Sequence, residues 1–253
     1  MMQDAPAAPQ SRPQLPMWIE TDIAAAAAAA MRRKDATDAA ADAVRGLDAL
    51  DELDLHPILA QGFRRAGFGA VREHPFPGPK GKRAKKSERE RCDLVLTPRH
   101  GVRIRDPMRE EEVEEDQRAG TLFAGGEGPV PEGVPSEECY WLEVKSVGQF
   151  VYVDGVPRAN SAYASQLVRG IMGDLAKLRR EKRVRHGAVL LVLCTAERAV
   201  AEHDLPAALH KALDRGSVMR APVVEGFPIL DRVGNAWCCV ALIPTAGDGD
   251  PDA

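Results

Sequence analysis

The sequence reads as an α/β chain, a mixed central sheet flanked by helices. Apolar runs of strand length recur at residues 92–97, 140–147, 188–194 and 236–243. Between them, apolar residues fall at three- and four-residue spacing, as at Leu55, Ile58, Leu59 and Phe63 and again at Leu167, Ile171, Leu175 and Leu178. These are the periods of strand and helix. The run 188–194 is apolar throughout, as in a strand covered on both faces, so a strand, helix, strand unit with a right-handed parallel crossover is expected there.

The elements follow in order. Residues 1–19, rich in proline, alanine and glutamine, lack the basic-then-apolar pattern of a signal peptide and read as a disordered tail. Residues 20–50 favour helix by propensity but carry few large apolar side chains, which predicts an appended, surface-lying helical extension. Residues 51–245 form the main domain. Its first helix takes Asp54 as N-cap, Pro57 in the first turn and Gly67 at its end. A short strand over 68–76 breaks at Pro77-Gly78-Pro79. Residues 98–138 are polar and too long for an ordinary connection, and read as an insertion, partly disordered or a flap. Asp154-Gly155 signals a hairpin, and Asn160 or Ser161 caps the helix that follows. Asp204, with Pro206 behind it, caps a later one, and residues 246–253 are an acidic tail.

Composition narrows the function less than the motifs do. At 253 residues and a net charge of −4, the chain has no general attraction for nucleic acid or anionic membrane. The five cysteines are odd in number and sit mostly in apolar runs, a usage that suits a reducing cytoplasm. No cysteine pair has zinc-knuckle spacing, and the alanine run is too short and weakly apolar to span a bilayer.

Lys145 alone among the lysines has a carboxylate two residues before it, and Glu143-Val144-Lys145 lies inside an apolar run. On a strand, Glu143 and Lys145 share a face, and charges held in a largely apolar strand need a partner or a metal. Asp93 is a lone acid at the start of an earlier strand. Converging with Glu143, it would suit a hard cation such as Mg²⁺. A lysine beside such an ion, holding or activating a water, suits phosphodiester hydrolysis.

With these residues the chain resembles the PD-(D/E)XK, or restriction-endonuclease-like, nuclease superfamily. Arg91-Cys92-Asp93-Leu94-Val95-Leu96 is similar to its aspartate strand and Trp141-Leu142-Glu143-Val144-Lys145 to its Glu-x-Lys strand. The helix carrying Asp174-Leu175-Ala176-Lys177-Leu178 then leads into an apolar strand, so the resemblance covers roughly residues 53–195. It implies a restriction-endonuclease-like sheet, Mg²⁺ (or Mn²⁺) held by Asp93, Glu143, Glu73 and Val144, and catalysis by Asp93, Glu143, Lys145 and Gln166 on DNA or RNA backbone. Glu52 is the nearest acid on the first core helix. The aspartate lacks a preceding proline, and the gap from Asp93 to Glu143 is longer than a hairpin.

The most basic stretch supplies Lys82, Arg83, Lys85, Lys86, Arg89 and Arg91 as candidate phosphate contacts. The partners expected are nucleic acid, DNA ahead of RNA, and a second copy of the chain as a homodimer, with no membrane. Three rival readings stand beside the nuclease. One is a catalytically inactive module of the same fold that binds nucleic acid or a protein; another is a structural or assembly protein using the alanine-rich helix for contacts; the last makes Glu143 and Lys145 a solvated ladder on an exposed sheet.

Overall fold

The computed structural model describes residues 18–78, 90–105 and 133–246. The candidate contacts Lys82, Arg83, Lys85, Lys86 and Arg89, the acid run 110–116 within the expected insertion, and most of both expected tails lie outside the described residues.

Six strands form one sheet in the order β1-β2-β3-β6-β8-β7: β1 (Gly69–Pro75), β2 (Arg91–Thr97), β3 (Tyr140–Gly148), β6 (His186–Thr195), β8 (Trp237–Pro244) and β7 (Val223–Pro228). Only β3 and β6 pair in parallel, and the helix between them, α3 (Tyr163–Arg180), is the crossover. The sheet is therefore mixed, with α1 (Glu20–Ala40) and α2 (Glu52–Arg65) on one face and α3 and α4 (Arg198–Asp214) on the other. Strand alternation sorts the core into these two layers. Leu142, Val144, Leu190 and Val192 pack toward α1 and α2, and Trp141, Val147, Leu191 and Leu193 toward α3 and α4.

The alanine-rich helix is a core element, which corrects the expectation of an appended surface helix. Ile23, Ala27, Ala28 and Met31 on α1 are buried, and the helix packs on α2, β7 and β8. Alanine achieves this by proximity rather than bulk: a Cβ added at Gly62 of α2 would lie 2.4 Å from the Cβ of Ala30. Backbones that close compensate for small side chains, since dispersion falls steeply with separation. Tyr140 Oη donates to Glu20 Oε1 at 3.0 Å and Trp18 Nε1 to the Glu138 carbonyl at 3.0 Å, tying this end of the chain to β3.

Three expected caps are also corrected. The N-cap of α3 is Ala162, not Asn160 or Ser161, and Asn160 Oδ1 accepts the Ala162 N–H at 3.0 Å just before the helix. The N-cap of α2 is Asp51, whose Oδ1 accepts from Asp54 N–H at 2.9 Å, so Asp54 lies inside the first turn and Pro57 in the second. The helix ends as expected at Gly67, φ 97°, where Phe68 N–H reaches back to the Phe63 carbonyl. Asp204 and Pro206 lie inside α4, which begins at Arg198. Its buried side, Ala201, Leu205, Ala208 and Ala212, runs through both at helical spacing, so packing overrides the local cap signal.

The hairpin β4 (Phe150–Val153) and β5 (Val156–Ala159) turns at Asp154 and Gly155 with φ of 52° and 77°, the paired left-handed conformation of a tight hairpin. Strand β7 gave no clear sequence signal. It is an edge strand whose burial alternates while its residue types do not, with Glu225 among the inward positions and Val224 exposed, and it is interrupted by Gly226 and ended by Pro228, which an edge tolerates. Among the described residues no helix is long and apolar enough to cross a membrane.

One irregularity of the sheet positions everything that follows. Pairing of β2 with β3 stops at Leu94 opposite Leu142, whereas β3 continues along β6 to Gly148. Among the described residues the later half of β3 therefore has one edge without a strand neighbour, and through this gap side chains from α2 and from α3 can meet.

Candidate functional site

Continued by one pair, the β2–β3 register would set Asp93 opposite Glu143. The strands part there instead, and Asp93 Oδ2 accepts the Val144 N–H at 2.8 Å, standing in for the missing ladder partner. A carboxylate accepting a backbone N–H is held firmly, so the residue after Glu143 anchors Asp93 beside it.

On the other side of Asp93, β1 is distorted. Glu73 has φ 51°, a left-handed conformation that costs a non-glycine residue ~1–2 kcal/mol. The distortion brings Glu73 Oε1 to 3.2 Å from His56 Nδ1, while the Arg91 guanidinium holds the Glu73 carbonyl at 2.7 Å. His56 is buried on α2, and its Nε2 has no hydrogen-bond partner and lies 3.8 Å from Asp93 Oδ1. One ligand atom from each of His56, Glu73 and Asp93 falls within 4.8 Å of the others. Backbone strain spent on turning a carboxylate toward a buried, unsatisfied imidazole is the kind of arrangement that clusters at functional sites.

Two lysines complete the cluster. Lys177 Nζ on α3 contacts both oxygens of Glu143 at 2.9 and 3.0 Å, donates to the Arg91 carbonyl at 2.8 Å and sits 5.3 Å from the centre of the Phe76 ring. Lys145 Nζ lies 3.0 Å from Glu52 Oε1 and 3.3 Å from Asp174 Oδ2, bridging α2 and α3 across the open edge. Its aliphatic stem runs over Gly170, where an added Cβ would come within 3.0 Å of Lys145 Cδ. The glycine makes room for the lysine.

The electrostatics follow from crowding. Burial, then the Asp93 carboxylate, pushes the Glu143 carboxyl up to about 8 despite Lys177. Burial likewise raises Asp174 against the pull of Lys145, with Asp93 and Glu52 adding to the rise. Burial alone would lower Lys145, but Asp174 and Glu52 outweigh it and hold the ammonium above its ordinary value. Lys145 is thus a permanent cation near neutrality, able to hold an anion or orient a water but not to accept a proton. Six carboxyl groups (Glu52, Glu73, Glu90, Asp93, Glu143 and Asp174) face two ammonium groups here, an excess of acidic groups that an added cation would relieve.

Asp93, Glu143 and Lys145 thus lie at one gap in the sheet, with Glu73 and Val144 adjoining and Glu52 on Lys145. Gln166 is apart from them on the first turn of α3, its Oε1 accepting from Asn160 Nδ2 at 2.8 Å. Arg91 braces the Glu73 backbone. Sequence reasoning missed His56, Asp174 and Lys177 as site residues. A signal existed: His56 is four residues after Glu52, and Gln166, Gly170, Asp174 and Lys177 follow one another at four-, four- and three-residue steps, a polar stripe beside the apolar one.

The donor set of His56, Glu73 and Asp93 fits a divalent cation: one buried imidazole nitrogen without a partner and two carboxylates. An imidazole among carboxylates suits Mn²⁺ better than Mg²⁺, which prefers oxygen alone. No protein-family model, curated protein or solved structure matches the chain.

Proposed function

We propose that the protein is a divalent-metal-dependent nuclease of the PD-(D/E)XK type, hydrolysing phosphodiester bonds of DNA or RNA. The observation that carries the reading is the parting of β2 and β3, where Asp93 is anchored on the Val144 N–H and brought beside Glu143, from fifty residues further along the chain, with Lys145 following on the same strand. The sheet order, with one parallel pair crossed over by α3, supports the same reading.

In this reading Asp93 and Glu73, with His56 in place of an all-oxygen set, would hold Mn²⁺ or Mg²⁺, with the Glu143 carboxyl close by. The ion would neutralise charge on the scissile phosphate and lower the pKa of a bound water. Lys145, kept charged by Asp174 and Glu52, stabilises the developing negative charge on the phosphate oxygens and orients the attacking water. Lys177 holds the Glu143 carboxylate in place and moderates its charge. Arg91 and the basic stretch before it meet the nucleic-acid backbone. The five cysteines, all free and buried, suit a reducing compartment.

The test is cleavage of labelled single- and double-stranded DNA and RNA by the purified chain with Mn²⁺, Mg²⁺ or EDTA. Metal-dependent cleavage reduced about 100-fold or more in Lys145→Met and in Asp93→Asn is expected, the scale seen on removing one charge-stabilising group. Equal cleavage by these variants refutes the assignment. Tight, salt-sensitive binding with no turnover in any metal would leave the inactive binding module as the correct reading.

A further inference from the structure

Lys145 does not stand free in the site. Its Nζ lies 3.0 and 3.2 Å from the two carboxylate oxygens of Glu52 and 3.3 Å from Asp174 Oδ2. A cation with two carboxylate partners offers little net charge to a phosphate, so one of them has to leave before Lys145 can meet a substrate.

The two partners are held differently. Asp174 lies within α3 and its side chain is 17 % exposed. Glu52 is the first residue of α2, its side chain is 40 % exposed, and it lines a cleft of about 680 Å³ between the α1–α2 connection, the β4–β5 hairpin and the start of α3. The cleft gives the Glu52 side chain room to swing while Asp174 keeps Lys145 in place. The other contact between a lysine and a carboxylate at this edge has no such outlet, because Glu143, gripped by Lys177, is buried. Nor does Glu52 belong to the metal set. The ligand atoms that fall within 4.8 Å of one another come from His56, Glu73 and Asp93, and both Glu52 oxygens face Lys145 instead.

We propose that Glu52 is a built-in competitor of the substrate: its carboxylate occupies Lys145 in the free protein and swings into the cleft when a phosphate of the nucleic-acid strand takes its place. A carboxylate and a phosphodiester present the same feature to an ammonium, two oxygens sharing one negative charge. The inference rests on the nuclease reading and deepens it, since it assigns Glu52 to the control of substrate affinity rather than to the metal. The two roles differ in the sign of their effect. Loss of a metal ligand weakens cleavage. Loss of a competitor strengthens binding: an exposed ion pair is formed up to about fivefold more often than it is broken, and a substrate that needs the open form binds more weakly by that factor.

The experiment is fluorescence anisotropy of the full chain with a labelled thymidine dodecamer, a uridine dodecamer and a dumbbell duplex, all with Ca²⁺ in place of Mn²⁺, and cleavage of the same probes with Mn²⁺ in parallel. The wild type is compared with Glu52→Gln, with Lys145→Met and with the double variant. Glu52→Gln keeps the size of an exposed side chain, so the fold should hold. It should bind about three- to fivefold tighter and, at substrate below saturation, cleave faster by the same factor. In the Lys145→Met background the gain should vanish, which ties it to that contact. Asp154→Asn removes one negative charge from the same cleft, at a turn whose left-handed conformation asparagine tolerates. It should change binding less than about twofold, which separates a specific contact from general repulsion. Binding no tighter in Glu52→Gln, or a gain that persists without Lys145 or is matched by Asp154→Asn, overturns the proposal. Cleavage that falls about tenfold or more in Glu52→Gln would make Glu52 a metal ligand, ending this inference and leaving the nuclease standing. A gain in affinity that needs Lys145, with no cleavage of any probe, would uphold the competitor and remove the nuclease.

Discussion

Glu143→Gln should stabilise the protein, and increasingly so as the pH rises. Glu143 is 3 % exposed, and burial with the neighbouring Asp93 moves its carboxyl from an ordinary 4.5 to about 8. A folded pKa raised above the unfolded one means that the native state binds the extra proton between those values. Stability is then fully present below about pH 4.5 and is lost as the pH climbs through about 8. At ~1.4 kcal/mol per tenfold change in proton affinity the displacement is worth at most about 5 kcal/mol. Relaxation of Lys177 toward the carboxylate lowers the net effect to roughly 2–3 kcal/mol. Glutamine imitates the protonated acid, so at pH 5 the variant should match the wild type, and by pH 9 it should exceed it by that amount. Urea denaturation in EDTA from pH 5 to 9, compared at the midpoint, reads the difference directly. A difference that stays flat, or a variant that becomes the weaker protein at high pH, would show that the Lys177 ion pair dominates burial and that Glu143 is ionised throughout. Added Mn²⁺ should then restore the alkaline stability of the wild type and leave the variant largely unaffected.

Other consequences can be checked as directly. His56→Ala should weaken Mn²⁺ binding, measured by calorimetry, by about 10-fold or more, and Mg²⁺ binding less, because imidazole contributes more to the softer ion; equal losses would remove His56 from the metal set. Gly170→Ala puts a methyl within 3.0 Å of Lys145 Cδ, so cleavage should fall several-fold while the melting temperature holds, since the flexible stem moves rather than the fold. Gly62→Ala, whose Cβ would lie 2.4 Å from that of Ala30, should cost about 1–3 kcal/mol by forcing α1 and α2 apart; a silent substitution would mean that α1 is not held at that contact.

Much of the arrangement was legible from residue order. The runs around Leu94, Leu142 and Leu190 announced strands because alternation or continuity of apolar residues is set by local geometry. The stripe of Leu167, Ile171, Leu175 and Leu178 announced α3 for the same reason, and all four are buried there. The Asp154-Gly155 turn needed nothing beyond its own conformational preference. Local signals failed where packing outbid them. Asp204 resembles a cap but lies within α4, and the alanines of α1 look superficial until Gly62 lets a second helix approach. His56 carried only its spacing from Glu52, because the strained turn at Glu73 that makes it a partner has no sequence signature.

What the order of residues determined by itself was the alternation of helices and strands and the single strand on which Glu143 and Lys145 share a face, since both follow from periodicities within a few residues. Tertiary structure alone decided that β2 and β3 part after Leu94 and Leu142, and hence that Asp93, His56, Asp174 and Lys177 gather at one edge. That outcome depends on where two strands cease to pair across a long intervening segment and on which helix faces the opening, and such long-range register is set by the packing of the whole core rather than by any local run of residues.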